Sequence, residues 1–329
     1  MATVLVTGGA GYIGSHTAKV LAATGATAVT LDTLEQGHEE FVRWGPLVVA
    51  DVLNRTALDA AFNAYRPVAV LHFAGLIDSA ESVVQPDKYF RTNVEGTRTL
   101  LEAMRAHDVT TLVFSSSASV YGNDHGTPIR EDAGGEPVTP YGQSKYDAEA
   151  AIREAAADSG LRWAALRYFN AAGGSAQGEI GEAHDPETHM IPNAIAAALN
   201  DHPFRVFGTD YDTPDGTAVR DYVNVEDLAE AHIQAMEYLV RGGTSGAFNL
   251  GAGKGASVLE VLQEVGNAAG KPVQTILEPR RAGDAPHLVS DWRRAEKKLG
   301  WRPLRSGLDQ IVSSAWAWHS RRDPAGEAD

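Results

Sequence analysis

Residues 7–14 read Thr-Gly-Gly-Ala-Gly-Tyr-Ile-Gly and lie between a β-branched apolar run at 3–7 and a helical stretch at 11–24. Glycines this close together let the chain turn sharply and bring its backbone against a neighbour, so strand and helix are joined by a tight βα turn. Gly9, Gly11 and Gly14 form Gly-x-Gly-x-x-Gly, and Gly8 extends the set to Gly-x-x-Gly-x-x-Gly. Such a turn admits a pyrophosphate to the backbone and points the first amides of the helix, at Tyr12 and Ile13, toward it. Asp32 closes the strand that follows the helix. A carboxylate there accepts the ribose hydroxyls of a dinucleotide and repels a 2′-phosphate, which favours NAD over NADP.

Apolar runs at 26–31, 47–50, 68–73, 110–115 and 162–168 alternate with helical stretches at 56–65, 89–107 and 141–157. Strands that are apolar throughout and separated by helices indicate a parallel sheet covered on both faces, a doubly wound α/β architecture. The pattern stops in a Gly-rich polar stretch at 171–187. It resumes as short strands (204–207, 247–250, 273–277) mixed with helices (191–199, 225–240, 257–269, 307–318). The sequence therefore predicts a first α/β unit over 1–171 and a second, smaller α/β unit over 172–329, with the segment 219–250 able to return to the first sheet. The end, 320–329, reads as a frayed tail.

The 329 residues include no cysteine, which excludes disulfides, thiolate catalysis and iron–sulfur clusters and fits a reducing compartment. A net charge of −15 opposes nucleic-acid binding, which needs clustered lysines and arginines to displace counterions. Met1-Ala2-Thr3 runs straight into a strand, and there is no apolar run of about 18 residues. The expectation is a soluble cytoplasmic protein with no membrane or nucleic-acid partner.

Tyr141 and Lys145, in Tyr-Gly-Gln-Ser-Lys, are spaced to share one helix face. A phenol titrates near pH 10, and making it a base near neutrality takes about 3 units, or about 4 kcal/mol. One cation about 5 Å away contributes about 3 kcal/mol at an effective dielectric near 20, and an oxidised nicotinamide adds a second positive charge. Ser115, Ser116 and Ser117 follow an apolar strand at its carboxyl end, where open α/β sheets place ligands. His184, Asp185, Glu187 and His189 match no zinc spacing, so that segment is read as a loop and no metal is expected.

Together the glycine turn, Ser117 and the Tyr141–Lys145 pair resemble the short-chain dehydrogenase/reductase superfamily in its extended, nucleotide-sugar branch, which implies a Rossmann-type first domain. More runs sharpen the likeness: His-Phe-Ala-Gly-Leu (72–76), Glu-Ser (81–82), Phe-Ser-Ser-Ser-Ala-Ser-Val-Tyr-Gly (114–122) and Leu-Arg-Tyr-Phe-Asn (166–170). Thr-His-Met-Ile-Pro (188–192), Asp-Gly-Thr-Ala-Val-Arg-Asp-Tyr (215–222), Asn-Leu-Gly-Ala-Gly (249–253) and Pro-Arg-Arg-Ala-Gly-Asp (279–284) follow in order. From residue 3 to about residue 318 the chain resembles the UDP-glucose (UDP-galactose) 4-epimerase family.

The resemblance implies NAD as cofactor and a UDP-hexose as substrate. Asp32, Asp51 and Val52 would hold the adenosine half of NAD, and Phe73, Ala74 and Gly75 would line its path. Asn93, Ser115, Lys145 and Tyr168 would fix the ribose and nicotinamide. Asn170, His189, the backbone of Met190, Phe207, Arg220, Arg281 and Asp284 would grip UDP, the planar arginine forks suiting a diphosphate. Tyr141, helped by Ser117, would take the proton of the sugar 4-hydroxyl while C4 is oxidised, the 4-keto sugar would turn over, and reduction would follow on its opposite face. Homodimers formed through the helices starting near Tyr89 and Tyr141 are also implied.

Two positions depart from the family pattern. Ile77 stands where some members carry Lys, which removes a cofactor contact, and Leu288 stands at the position limiting room for the sugar's 2-substituent, favouring glucose and galactose over N-acetylated sugars. UDP-xylose/arabinose and UDP-N-acetylhexosamine remain alternative substrates. A 4,6-dehydratase would carry acids where this chain has Ala118 and Ser119. A net reductase would release its cofactor, and an idle NAD-binding protein would not need Ser117, Tyr141 and Lys145.

Overall fold

The computed structural model describes residues 2–123, 126–135, 137–281 and 284–321. The tail at 322–329, and Ala282 and Gly283 of the 279–284 run, lie outside the described residues. Strands β1 (Thr3–Thr7), β2 (Thr27–Asp32), β3 (Leu47–Val49), β4 (Ala69–His72), β5 (Thr111–Ser117) and β6 (Arg162–Tyr168) come first. They are followed by β7 (Asn170–Ala172), β8 (Phe204–Phe207), β9 (Val219–Asn224), β10 (Gly246–Leu250), β11 (Gly255–Ser257), β12 (Thr275–Glu278) and β13 (His287–Leu288). The helices are α1 (Tyr12–Ala23), α2 (Arg55–Tyr65), α3 (Ser79–Val84), α4 (Pro86–Tyr89), α5 (Gly96–Ala106) and α6 (Pro140–Ser159). They continue with α7 (Met190–Leu199), α8 (Val225–Val240), α9 (Val258–Ala269), α10 (Arg293–Leu299) and α11 (Leu308–His319).

Seven strands form one parallel sheet in the order β3-β2-β1-β4-β5-β6-β10. This is the doubly wound α/β order, reversing direction between β1 and β4, where such sheets open a crevice at their carboxyl ends. Both sheet faces are covered because the central strands are apolar on both sides. One face packs Leu5, Val70 and Phe114 against Leu58 of α2, Leu100 and Met104 of α5, and Ala148 and Ile152 of α6. The other packs Val4, Val6 and Leu71 against Leu21 of α1 and Leu228 and Ala231 of α8.

A second α/β region surrounds β9, which pairs with β11, β13 and β7, while β8 pairs with β12. Its core joins α7, α9 and α11 through Ile195, Val261, Ile311 and Val312. Within 219–250 the chain divides: β9 lies in this small sheet, whereas α8 and β10 lie on the first one. The continuous helix expected over 89–107 is instead α4, a π-helical turn at Phe90–Glu95, and α5. There Thr97 Oγ1 donates to Asn93 O at 2.6 Å and also lies 3.0 Å from His72 Nε2, tying the turn to the sheet. Such π turns accompany functional sites.

Candidate active site

The glycine turn is built as a cradle. Gly8 has φ +71°, and a Cβ there would meet Ala74 N at 2.5 Å; a Cβ on Gly14 would meet Gly8 O at 2.2 Å. Gly11 is the N-cap of α1, with no side-chain cap and no acid in the first turn, so the helix amides stay available to an anion. Asp32 ends β2, its Oδ2 accepting from Ala10 N at 3.0 Å and its Oδ1 from Leu34 N at 2.9 Å. An ionised carboxylate keeps further lone pairs for ribose hydroxyls. These features fit NAD. The Tyr12 hydroxyl donates to Gly173 O at 2.6 Å, and the side chains of Ile13 and Val52 pack into the core. The hydroxyl of Tyr12 and the side chains of Ile13 and Val52 are thus committed within the protein, leaving their backbones for a cofactor. Asp51 is exposed and accepts from Leu53 N at 2.9 Å.

Phe73, Ala74 and Gly75 follow β4, with Phe73 N and Ala74 N both donating to Thr7 O. Buried Asn93 accepts from Leu76 N at 2.8 Å and donates to Leu76 O at 3.1 Å and to Ser144 Oγ at 2.9 Å, fixing the strand end to α6. Lys145 is buried, its Nζ donating to Ser115 O at 3.0 Å. The Ser115 hydroxyl is hydrogen-bonded to the Tyr168 hydroxyl. Burial lowers Lys145 to about 8 and pushes Tyr168 upward. His232, beneath Phe73 and Tyr168, is lowered to about 4 by burial.

Thr139 caps α6 by accepting from Gly142 N at 3.1 Å, and Pro140 starts the helix, so Tyr141 sits in its first turn. Ser117, at the end of β5, accepts from Ser119 N at 3.1 Å, donates to Ser119 Oγ at 3.2 Å, and stands near enough to Tyr141 to favour its phenolate. The Tyr141 ring meets Tyr89 edge to face, with centroids 6.4 Å apart. Sequence reasoning expected Lys145 to lower the phenol. In the protein alone burial dominates and raises Tyr141, with Ser117 pulling the other way. The reason is geometric: the ammonium is directed at the Ser115 carbonyl.

Asn170 on β7 donates to Asp221 O at 3.2 Å, linking β7 to β9. Arg220 donates to Val219 O at 3.0 Å and Ala285 O at 2.9 Å and lies 3.7 Å from Asp284. Arg281 lies over the Phe207 ring, 3.9 Å from its centroid. Met190 Sδ accepts from Tyr222 at 3.1 Å. Ile77 is exposed, and Leu288 packs beside Val120, Tyr121 and Ile129.

His189 occupies the N-cap position of α7 without a side-chain cap bond, its Nδ1 lying 2.7 Å from Glu182 Oε1 and 3.2 Å from Glu187 Oε1. Burial alone would lower its imidazole, but the two carboxylates outweigh burial and raise it to about 10. With His184 these residues place their ligand-type atoms within 4.8 Å of one another. The sequence grouping held Asp185 in place of buried Glu182; imidazole–carboxylate pairing accounts for the closeness of the group seen.

Sequence reasoning missed Glu149 and Arg167, a buried ion pair behind the serines with Nη2 to Oε2 at 2.6 Å. The signal was present, since Glu149 repeats the four-residue step from Tyr141 to Lys145.

The profile of the NAD dependent epimerase/dehydratase family matches residues 4–251. The chain is 48% identical over 324 residues to the UDP-glucose 4-epimerase of Rhizobium meliloti, covering 98% of each. A UDP-glucose 4-epimerase from Brucella ovis, solved in complex with NAD, superposes with a TM-score of 0.94 at 46% identity over 96% of this chain and 98% of that one. The UDP-glucose-4-epimerase of Stenotrophomonas maltophila, solved with NAD and formylated UDP-arabinopyranose, gives 0.95 at 38% identity over 99% and 100%.

Proposed function

Because the chain belongs to the NAD dependent epimerase/dehydratase family, among its UDP-glucose 4-epimerases, we propose that it interconverts UDP-galactose and UDP-glucose at C4. The observation that carries the site assignment is the meeting of Ser117, Tyr141 and Lys145 where β5 and α6 converge. When bound, NAD supplies a hydride acceptor and donor for C4 and a positive charge beside the phenol. Tyr141 takes the proton of the 4-hydroxyl and later returns it, so one group serves both halves of the cycle. Ser117 holds the same oxygen. Lys145 anchors the end of β5 through Ser115 O and supplies a cation near the ribose position.

Arg220, Arg281, Asp284, Phe207, Asn170, His189 and the Met190 backbone hold UDP in this reading. A cationic His189 suits a diphosphate. Firm contacts on the nucleotide and few on the hexose leave the ketone free to turn over. The residues 1–171 form the cofactor part and 172–329 the substrate part, with α8 and β10 as the returning segment. Two copies pair through the helices near Tyr89 and Tyr141, a reading supported by exposed Val83, Val84, Val138 and Tyr146 on and beside α3 and α6. Among the described residues no helix is long and apolar enough to cross a membrane; a chain without cysteine is compatible with the reducing cytoplasm, where a UDP-galactose 4-epimerase would serve galactose metabolism.

The test is to incubate the purified protein with UDP-galactose, first without cofactor and then with NAD, and to follow products by NMR. UDP-glucose is expected. No conversion under either condition overturns the reading, and a 4-keto-6-deoxy product transfers it to the dehydratases.

A further inference from the structure

Tyr141, Lys145 and Glu149 follow at four-residue steps along α6, a spacing that keeps them on one helix face. Glu149 has no exposed side-chain surface, yet it carries a charge held from three sides. Arg167 of β6 meets it as a fork, Nη2 to Oε2 at 2.6 Å and Nε to Oε1 at 2.8 Å. Ser116 Oγ donates to the same Oε1 at 2.6 Å, and Arg153 reaches Oε2 at 3.3 Å. Beyond the fork, Arg167 Nη1 donates to the Tyr121 hydroxyl at 3.0 Å, which donates to Asn249 Oδ1 at 2.5 Å.

Ser116 stands between Ser115, whose carbonyl receives Lys145 Nζ, and Ser117, which meets Tyr141. In the β5–β6 register Ser116 lies opposite Arg167 and Ser117 opposite Tyr168. The fork thus ties the helix bearing the acid–base pair to the strand ends bearing its partners. As a stabiliser alone it is a poor device, since apolar residues of similar volume often replace a buried ion pair without loss. Orientation is what a bidentate, fully bonded fork supplies.

We propose that Glu149 and Arg167 are positioning residues: they set the rotation and height of α6 against β5 and β6 so that Tyr141 and Lys145 meet Ser117 and Ser115. This rests on the epimerase reading above. The test compares wild type, Glu149→Met/Arg167→Met and Ser116→Ala in the epimerase assay, with thermal melting and bound NAD measured on each. For the double variant we expect wild-type melting within a few degrees, retained NAD, and KM within about threefold. Its kcat should fall about tenfold or more, because small misplacements of reacting groups are costly. The acid limb of the kcat–pH profile should also move, which a purely structural role would not cause. If the double variant does not fold, Ser116→Ala decides, since it keeps the ion pair; a drop in kcat at unchanged KM is expected. A folded double variant, or failing that Ser116→Ala, with wild-type kcat and pH profile overturns the proposal while the epimerase reading stands. An inactive wild type overturns both.

Discussion

Lys145 offers a quantitative test of the burial that shapes this site. Its ammonium is enclosed, with Ser115 O at 3.0 Å and the Phe114 ring centroid at 5.1 Å, and burial lowers it from 10.5 to about 8. Between those values the unfolded chain carries a proton on this lysine that the folded chain lacks, so the contribution of Lys145 to stability rises with pH. The gap corresponds to about 3 kcal/mol, of which about 2 kcal/mol is gained between about pH 7.5 and 9.5. His189, raised to about 10, also titrates in this window and opposes the rise, so the comparison needs a pair of proteins that share it; the other shifted groups fall outside. The lowered histidines His16, His72 and His232 complete their contribution below neutrality. Buried Tyr12, Tyr168 and Tyr222 are raised, so their stability is lost only as pH climbs through the ordinary phenol range near 10. The assay is urea unfolding of nucleotide-free protein across the window, comparing wild type with Lys145→Met. The variant lacks the Lys145 contribution but keeps that of His189, so it should be more stable near pH 7.5 and its advantage over the wild type should shrink by about 2 kcal/mol by pH 9.5. A difference between the two proteins that stays constant across the window would rule this out.

Gly14→Ala places a Cβ 2.2 Å from Gly8 O and 2.9 Å from Gly9 Cα, backbone atoms that cannot step aside. Destabilisation of about 3 kcal/mol and loss of retained NAD are expected, read by unfolding and by the nucleotide released on denaturation. Tyr141→Phe removes only the hydroxyl; kcat should fall by about a thousandfold or more with NAD still bound, consistent with the usual weight of acid–base catalysis together with a lost orienting bond. A variant with full turnover would end the proton role.

The central strands and the glycine turn were legible because apolar runs and glycines state their local requirements directly: Arg162–Tyr168 and Phe204–Phe207 occupy the expected residues. Short strands such as β7, β11 and β13 carry too few residues for a period and exist because β9 offers them an edge. The break in the helix over 89–107 coincides with contacts across the chain, Asn93 to Ser144 and Thr97 to His72. The site was legible as residue types, less so as electrostatics. Spacing alone suggested that Lys145 would acidify Tyr141, whereas burial and the direction of the ammonium are three-dimensional properties. Glu182 likewise joins His189 only through folding of the 182–189 loop.

Internal return of hydrogen at C4 is the heart of the account. UDP-galactose carrying both deuterium at C4 and carbon-13 elsewhere in the hexose should be mixed with equal unlabelled UDP-galactose, and the UDP-glucose formed examined by mass spectrometry and NMR. Deuterium should stay at C4 and remain in the carbon-13 molecules alone, because the sugar turns over without leaving the cofactor. Loss of deuterium to water, or its transfer to NAD free in solution, would contradict it.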